Sequence, residues 1–231
     1  MTTTAQKKVV AEQAASMVQD GMLVGLGTGS TATFAIEALI RRSREGLSIT
    51  CVPTSDRSDA QARAGGLVLL DEPPADRMID ITIDGADEVE DGTLNLIKGL
   101  GGALLREKIV AASTKRLVII ADAGKRVRRL GQKSPVPVEV VRFGWETTER
   151  RLRDLGAESV PRRAPDGAMY VTDGGNYILD CRFPAQTDLA GLERALAVTV
   201  GVIETGLFIQ MVDTVLIGTA NGVVTLTANR G

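Results

Sequence analysis

The sequence predicts an α/β protein, a mostly parallel sheet flanked by helices, with a smaller α+β domain attached. Three observations carry this prediction. Hydrophobic residues make up 44% of the 231 residues and aromatic ones only 3%, so Val, Ile, Leu and Ala must build the core. Such aliphatic runs suit strands buried on both faces. Short apolar runs alternate with helical stretches through Gly-rich connections as far as residue 130, and beyond residue 131 the pattern changes.

Residues 4–20 have the periodicity of an amphipathic helix stopped by Gly21, and 22–26 form a short apolar strand. A Gly/Thr/Ser turn leads to a helix over 31–44. Strand 47–52, helix 56–64 ending at Gly65-Gly66, and strand 67–70 follow. Residues 78–83 read as a strand that stops at Asp84-Gly85, and 94–97 as another short one. After a glycine loop come helix 103–112 and strand 117–121.

Pro135 and Pro137 then mark a break and an edge-like strand running to Val141. Residues 144–155 read as a helix. Residues 168–172 and 177–181 alternate like strands around Asp173-Gly174-Gly175-Asn176, a hairpin turn. Helix 188–197 and strand 202–208 complete the order βαββαβ, a ferredoxin-like unit. Two more strands, 214–217 and 223–227, flank Ala220-Asn221-Gly222 and are expected to rejoin the first sheet. The expected division is a Rossmann-like domain over 1–130 and 209–231, with a ferredoxin-like domain over 131–208.

Composition removes whole classes of function. The net charge of −2 does not suggest nucleic acid or a membrane surface as a partner, though a local basic site for a small anion is compatible with it. Cys51 and Cys181 have no metal-ligand spacing and read as buried thiols. The first twenty residues lack the apolar core of a signal peptide and no apolar run reaches transmembrane length, so a soluble cytoplasmic protein is expected. There are no histidines, which excludes a Ser-His-Asp triad, a Cys-His pair and imidazole zinc sites. Proton transfer would fall to carboxylates, Lys, Tyr or Cys.

Three loops carry chemistry. In Gly25-Leu26-Gly27-Thr28-Gly29-Ser30-Thr31 a strand enters a helix, whose unpaired N–H groups and dipole favour an anion. The glycines allow close approach, and Thr28, Ser30 and Thr31 add hydroxyls; together they suit a phosphate. The plainer alternative is a tight turn with Ser30 or Thr31 as a helix cap. Ser30 stands at the third glycine position of a dinucleotide fingerprint, and no Gly-Lys-Ser/Thr is present, so NAD and ATP lose ground.

Asp84-Gly85-Ala86-Asp87-Glu88 follows a strand, where ligands of parallel sheets bind, and carboxylates suit sugar hydroxyls. The alternative has Asp84 capping the turn and the other acids solvated. Lys98-Gly99-Leu100-Gly101-Gly102-Ala103 repeats the strand, glycine loop and helix order, with Glu107 about one turn into the helix. Taken singly, Lys98 could be a snorkelling lysine and Glu107 an exposed helix residue. Together with an anion loop, they suit movement of a sugar carbonyl between C1 and C2. A glutamate moves the proton, and a lysine or backbone N–H groups stabilise an enediolate. A carboxylate helps to open the sugar ring, and no metal or cofactor is needed.

Nearly the whole chain resembles the type A ribose-5-phosphate isomerases. The blocks are GLGTGSTA at 25–32, TSDRS at 54–58, DGADEVE at 84–90, KGLGGALLREKIVA at 98–111, ADAGK at 121–125 and PVPVEV at 135–140. VTDGGNYILD at 171–180, GVIETGLF at 201–208 and VLIGTANGV at 215–223 extend the resemblance. It implies interconversion of D-ribose 5-phosphate and D-ribulose 5-phosphate in the non-oxidative pentose phosphate pathway, by a homodimer or higher oligomer. It makes Glu107 the general acid/base and places Thr28, Gly29, Ser30 and Thr31 at the substrate. It lines the pocket with Asp84, Gly85, Ala86, Asp87, Lys98, Gly99, Leu100 and Gly101, and adds Lys125 as a substrate contact. Asp87 is the choice for ring opening. Two positions depart from the family pattern: Leu100 stands where glycine is usual, and Leu105 where threonine is common.

Related readings fare worse. Amino-sugar phosphate deaminases and sugar-phosphate lactonases typically depend on a histidine. A sugar-phosphate sensor would need room for a DNA-binding domain, and coenzyme A transferases are usually longer.

Overall fold

The structure, a computed structural model, describes residues 1–184 and 187–228. Residues 229–231 of the expected tail segment, and 185–186 of the expected second domain, lie outside the described residues. In chain order the elements begin with α1 (Thr3–Ser16), β1 (Leu23–Leu26), α2 (Ala32–Arg44), β2 (Thr50–Pro53), α3 (Asp56–Gly65) and β3 (Val68–Leu69). Next come β4 (Ile81–Asp84), β5 (Glu88–Glu90), β6 (Leu96–Ile97), α4 (Leu104–Ala112), β7 (Leu117–Asp122) and β8 (Arg126–Val127). Then follow β9 (Val136–Val140), α5 (Trp145–Asp154), β10 (Glu158–Pro161), β11 (Tyr177–Arg182) and α6 (Leu189–Ala197). The chain closes with β12 (Val202–Thr205), β13 (Leu207–Phe208), β14 (Thr214–Thr219) and β15 (Gly222–Thr227).

Two units emerge. The first comprises Met1–Ala86, Arg106–Arg126 and the chain from Gln210 onward. Its sheet has the order β15-β14-β7-β4-β1-β2-β3, parallel except for the antiparallel edge strand β15. Successive strands run outward from β1 to β3, then from β4 through β7 to β14 on the other side. The order therefore reverses between β1 and β4, the kind of switch point where open α/β sheets bind ligands. One face packs Val24, Leu26, Ile81, Ile83, Val118 and Ile120 against Ala11, Ala14 and Ala15 of α1 and Ile36 and Leu39 of α2. On the other face, Leu23, Val52 and Ile79 pack with Val110 of α4. Side chains alternate across the pleat, so an all-aliphatic strand supplies both faces.

Helix α1 ends at Ser16, earlier than the periodicity suggests. Residues beyond it bind the lead-in to β2 instead: Asp20 Oδ1 accepts from Ser48 N at 2.8 Å and Gly21 N donates to Ser48 O at 2.8 Å. Asp80, the one acid in an apolar run, ties three segments together. Its carboxylate accepts from Lys115 at 2.8 Å, Leu23 N at 2.9 Å and Arg77 at 2.6 Å. Those hydrogen bonds, Lys115 first, hold its carboxyl well below the usual carboxylate range. A carboxyl depressed in the folded state stabilises above its unfolded pKa, and that stability is lost as pH falls. Asp80→Asn is therefore expected to lower unfolding free energy by about 1 kcal/mol at neutral pH, since both cationic partners are half exposed. The deficit should shrink below about pH 4. Denaturant titrations at several pH values measure it, and a pH-independent deficit would rule the charge effect out.

The second unit comprises Asp87–Leu105 and Val127–Ile209. Its main sheet, β10-β11-β9-β12, is antiparallel throughout, and the order β9-α5-β10-β11-α6-β12 is βαββαβ. The strand before β11 is Glu158–Pro161, not 168–172. The latter segment makes a single bridge, Met169 to Arg163. Its end is drawn off by Glu139, which accepts from Thr172 Oγ1 at 2.8 Å and Asn176 Nδ2 at 3.0 Å. Glu139 is 1% exposed, and burial pushes its carboxyl up. The 173–176 turn still forms, with Gly175 N donating to Thr172 O at 2.8 Å.

The strand carrying Pro137 is central, not an edge. Pro137 O accepts from Gly206 N, and a residue's N–H and C=O point to the same side of an antiparallel strand. The missing N–H therefore faces beyond β12, whose pairing with β9 covers only Val138–Val140. A small sheet, β13-β6-β5-β8, draws residues 87–105 into this unit, whereas the sequence assigned them to the first domain. Ile97 packs with Val138, Leu179 and Leu207, a long-range association that strand periodicity does not reveal.

Candidate active site

Within the first unit, the loop after β1 is built around Asp84. Gly27 N donates to Ile83 O at 2.9 Å, and Asp84 Oδ1 accepts from Thr28 N at 3.0 Å and Gly85 N at 2.7 Å. Asp84 is 1% exposed, so it shapes the turn as the plainer alternative anticipated. Thr28 Oγ1 turns toward the TSDRS block, 2.8 Å from Thr54 Oγ1 and 2.7 Å from Ser55 Oγ. Ser55 is in turn locked by a capping box with Ser58.

Gly29, Ser30 and Thr31 are left at the start of α2. Thr31 is its N-cap, the position the plainer alternative gave it, although its side chain makes no cap bond. Such a helix start attracts an anion. Lys7 of α1 donates to Ser30 Oγ at 2.8 Å and brings a cation to the same place. The sequence showed Lys7 only as a charge in an N-terminal helix; helical spacing cannot say which distant loop a lysine reaches.

Helix α4 lies on the sheet at Gly25, where a Cβ would sit 2.8 Å from Val110 Cγ1. Two residues past the end of the helix, Thr114 Oγ1 meets Thr82 Oγ1 at 2.6 Å and Thr114 bridges to Ile79 just before β4. The helix therefore runs from the carboxyl ends of the strands toward their amino ends. Glu107 shares a face with Val110 one turn earlier, about 4.5 Å nearer the carboxyl ends of β1 and β4. It is 4% exposed, not the solvated helix residue that its sequence neighbours would allow. Gly85 and Ala86 follow Asp84 at the same end, and Lys125 sits half-buried in the turn after β7.

The second unit gathers the other set. Asp87 Oδ2 accepts from Leu100 N at 2.9 Å, so the DGAD and KGLGG blocks meet. Lys98 is 3% exposed, and its ammonium lies 5.6 Å from the centre of the Phe208 ring. Gly99 is buried, while Leu100 and Gly101 face solvent. Leu100 thus takes a glycine's place with its side chain in the open. Glu88 is not solvated: it is fully buried and accepts from Gly131 N, Lys133 N and Ser134 N at 2.6–2.7 Å.

The model of the family ribose 5-phosphate isomerase A (phosphoriboisomerase A) matches residues 50–222. Ribose-5-phosphate isomerase A of Synechococcus sp. (strain JA-3-3Ab) is 54% identical over 95% of this chain and 96% of its own. The structure of ribose 5-phosphate isomerase A from Methanocaldococcus jannaschii superposes with a TM-score of 0.92 at 40% identity, over 96% of this chain and 98% of that one. A D-ribose-5-phosphate isomerase solved in complex with phospho-erythronic acid gives 0.93 at 36% identity, over 98% and 100%. With the sheet, the loops and the matched blocks in agreement along its length, the chain belongs to the ribose 5-phosphate isomerase A family.

Proposed function

We propose that isomerisation of ribose 5-phosphate to ribulose 5-phosphate runs here through an enediolate, with Glu107 as the proton carrier. The reaction follows from the family; the observation that carries the mechanism is a buried glutamate in the first turn of α4, toward the ligand-binding end of the sheet. Glu107 takes the proton from C2 of the open-chain aldose. The electron pair forms a C1–C2 double bond and O1 takes the negative charge. Return of the proton to C1, with transfer of the O2 proton to O1, leaves the carbonyl at C2. Lys98, with the backbone beside it, stabilises the charged oxygen. Phospho-erythronic acid, held by a structural relative, carries a carboxylate whose charge resembles an enediolate. Running the reaction in heavy water with a chelator present tests the scheme. Deuterium at C1 of the ribulose 5-phosphate supports it, and product free of solvent deuterium in every fraction, as in a hydride shift, counts against it.

The start of α2, with Ser30, Thr31 and Lys7, holds the phosphate, and Lys125 adds a further contact. Lys7→Met is expected to raise KM about tenfold at low salt with kcat held, as loss of one charge-assisted bond would. The effect should fade as salt screens the exposed pair. An unchanged KM would remove Lys7 from the phosphate site. Asp87 handles the hydroxyl proton in ring opening, so Asp87→Asn should slow turnover of the cyclic substrate far more than that of open-chain analogues. Equal losses would assign it another role. Family resemblance further supports a cytoplasmic homodimer or higher oligomer; a monomeric mass in sedimentation would contradict the assembly.

A further inference from the structure

The glycine loop that carries Lys98 is held from behind by an arginine far away in sequence. Arg162, just after β10, is bound by Asp180 of β11 in a fork, with Nε 2.9 Å from Oδ2 and Nη2 on Oδ1. Such a two-point pair fixes the guanidinium plane. The remaining nitrogen, Nη1, donates to the carbonyls of Gly99 at 2.8 Å and Leu100 at 3.1 Å. The Arg162 side chain is 12% exposed, well shielded from competing water. Its guanidinium also lies 5.8 Å from the centre of the Tyr170 ring. Tyr170 walls the far end of the loop: a Cβ on Gly102 would sit 2.1 Å from its hydroxyl.

Two carbonyls drawn to one guanidinium determine where the next N–H groups point. In a planar trans peptide the C=O of one residue and the N–H of the next are opposed, and no cis peptide occurs among the described residues. The Gly99 carbonyl faces Arg162, and the Leu100 N–H indeed points the other way, onto Asp87. The Leu100 carbonyl faces Arg162 as well, so the N–H of solvent-exposed Gly101 is also turned away from it.

We propose that Arg162, braced by Asp180, is a positioning residue that holds the 98–101 loop with its Gly101 N–H presented to the enediolate oxygen. This rests on the reading of that loop as the charge-stabilising element. A preorganised donor acts chiefly on the transition state, so its misplacement lowers kcat rather than raising KM.

Steady-state kinetics of Arg162→Ala, Arg162→Lys and Asp180→Asn test it. Arg162→Ala is expected to lose about 10- to 100-fold in kcat with KM little changed, the scale of a small misplacement. Added guanidinium should restore part of that loss in Arg162→Ala. Arg162→Lys should remain impaired, because an ammonium cannot hold a carboxylate fork and two carbonyls in one plane. Asp180→Asn, which keeps the arginine, should lose kcat more mildly, and it carries the test should Arg162→Ala fail to fold. Parent-like kcat in folded Arg162→Ala or Asp180→Asn overturns the proposal. So does a kcat loss that guanidinium leaves untouched while the melting temperature falls in step. Glu107→Gln separates the two readings: full activity there would overturn the acid/base scheme alone, whereas its inactivity beside an unimpaired Arg162→Ala would overturn the positioning role alone.

Discussion

Glu107→Gln is expected to lower kcat by about 100- to 10,000-fold while KM hardly moves, the range for removal of one general acid/base. The amide keeps the size of the carboxylate, so the α4 contact with the sheet through Val110 should survive and the melting temperature should stay near the parent's. Glu107 is buried on the sheet-facing side of its helix, where a spare solvated carboxylate would not be placed. Parent-like kcat in a folded variant would move the proton carrier to Asp84, Asp87 or Lys98. The measurement is ketose formation from ribose 5-phosphate, with the thermal melt of each protein alongside.

Gly27→Ala should produce the second large effect, on stability and substrate affinity together. A Cβ there would lie 2.2 Å from Asp84 Oδ1 and 2.5 Å from Asp84 Cα. No side-chain rotation relieves a clash with a Cα, so β1 and β4 must separate where the loop proposed to hold the phosphate begins. Overpacking of this kind costs about 1–3 kcal/mol, occasionally more. For a chain of this size that is about 2–12 °C in melting temperature. The same shift breaks the Asp84 bonds to Thr28 N and Gly85 N, so KM should rise as well. Gly85→Ala is the stability control. Its Cβ would meet only Thr28 O, at 3.7 Å, an ordinary contact. Equal stability in both variants would show that the close approach at Gly27 does not constrain the fold.

Much of the fold was legible because its signals are local. Aliphatic runs bounded by glycine name the strands of the parallel sheet, and glycines with hydroxyls after such a run name a strand-to-helix turn. The failures are also local in origin. Ala168–Thr172 has strand-like alternation, yet Glu139 takes its Thr172 hydroxyl and the segment never pairs along its length. Pro137 looks like an edge residue, but its missing N–H falls where β12 has already ended.

The site divides in the same way. Gly27, Thr31, Lys98 and Glu107 could be singled out from order and residue type, because the turn and the helix start that use them are built from their own neighbours. Residue type and local hydropathy alone do not separate Glu107 from Asp80, Glu88 and Glu139, four acids on or beside apolar segments; its place after the Lys98 glycine loop and the family resemblance single it out. Only packing shows that Asp80 ties Lys115 and Arg77 to β1, that Glu88 gathers three backbone N–H groups, and that Glu139 holds Thr172 and Asn176. Lys7 on Ser30 and Arg162 on Gly99 were equally hidden, being 23 and 63 residues from their partners. Local pattern specifies which backbone shape a segment takes, since that is decided within a few residues. Which charge neutralises, orients or spares which other group is decided by chain closure over tens of residues, and only the folded structure settles that.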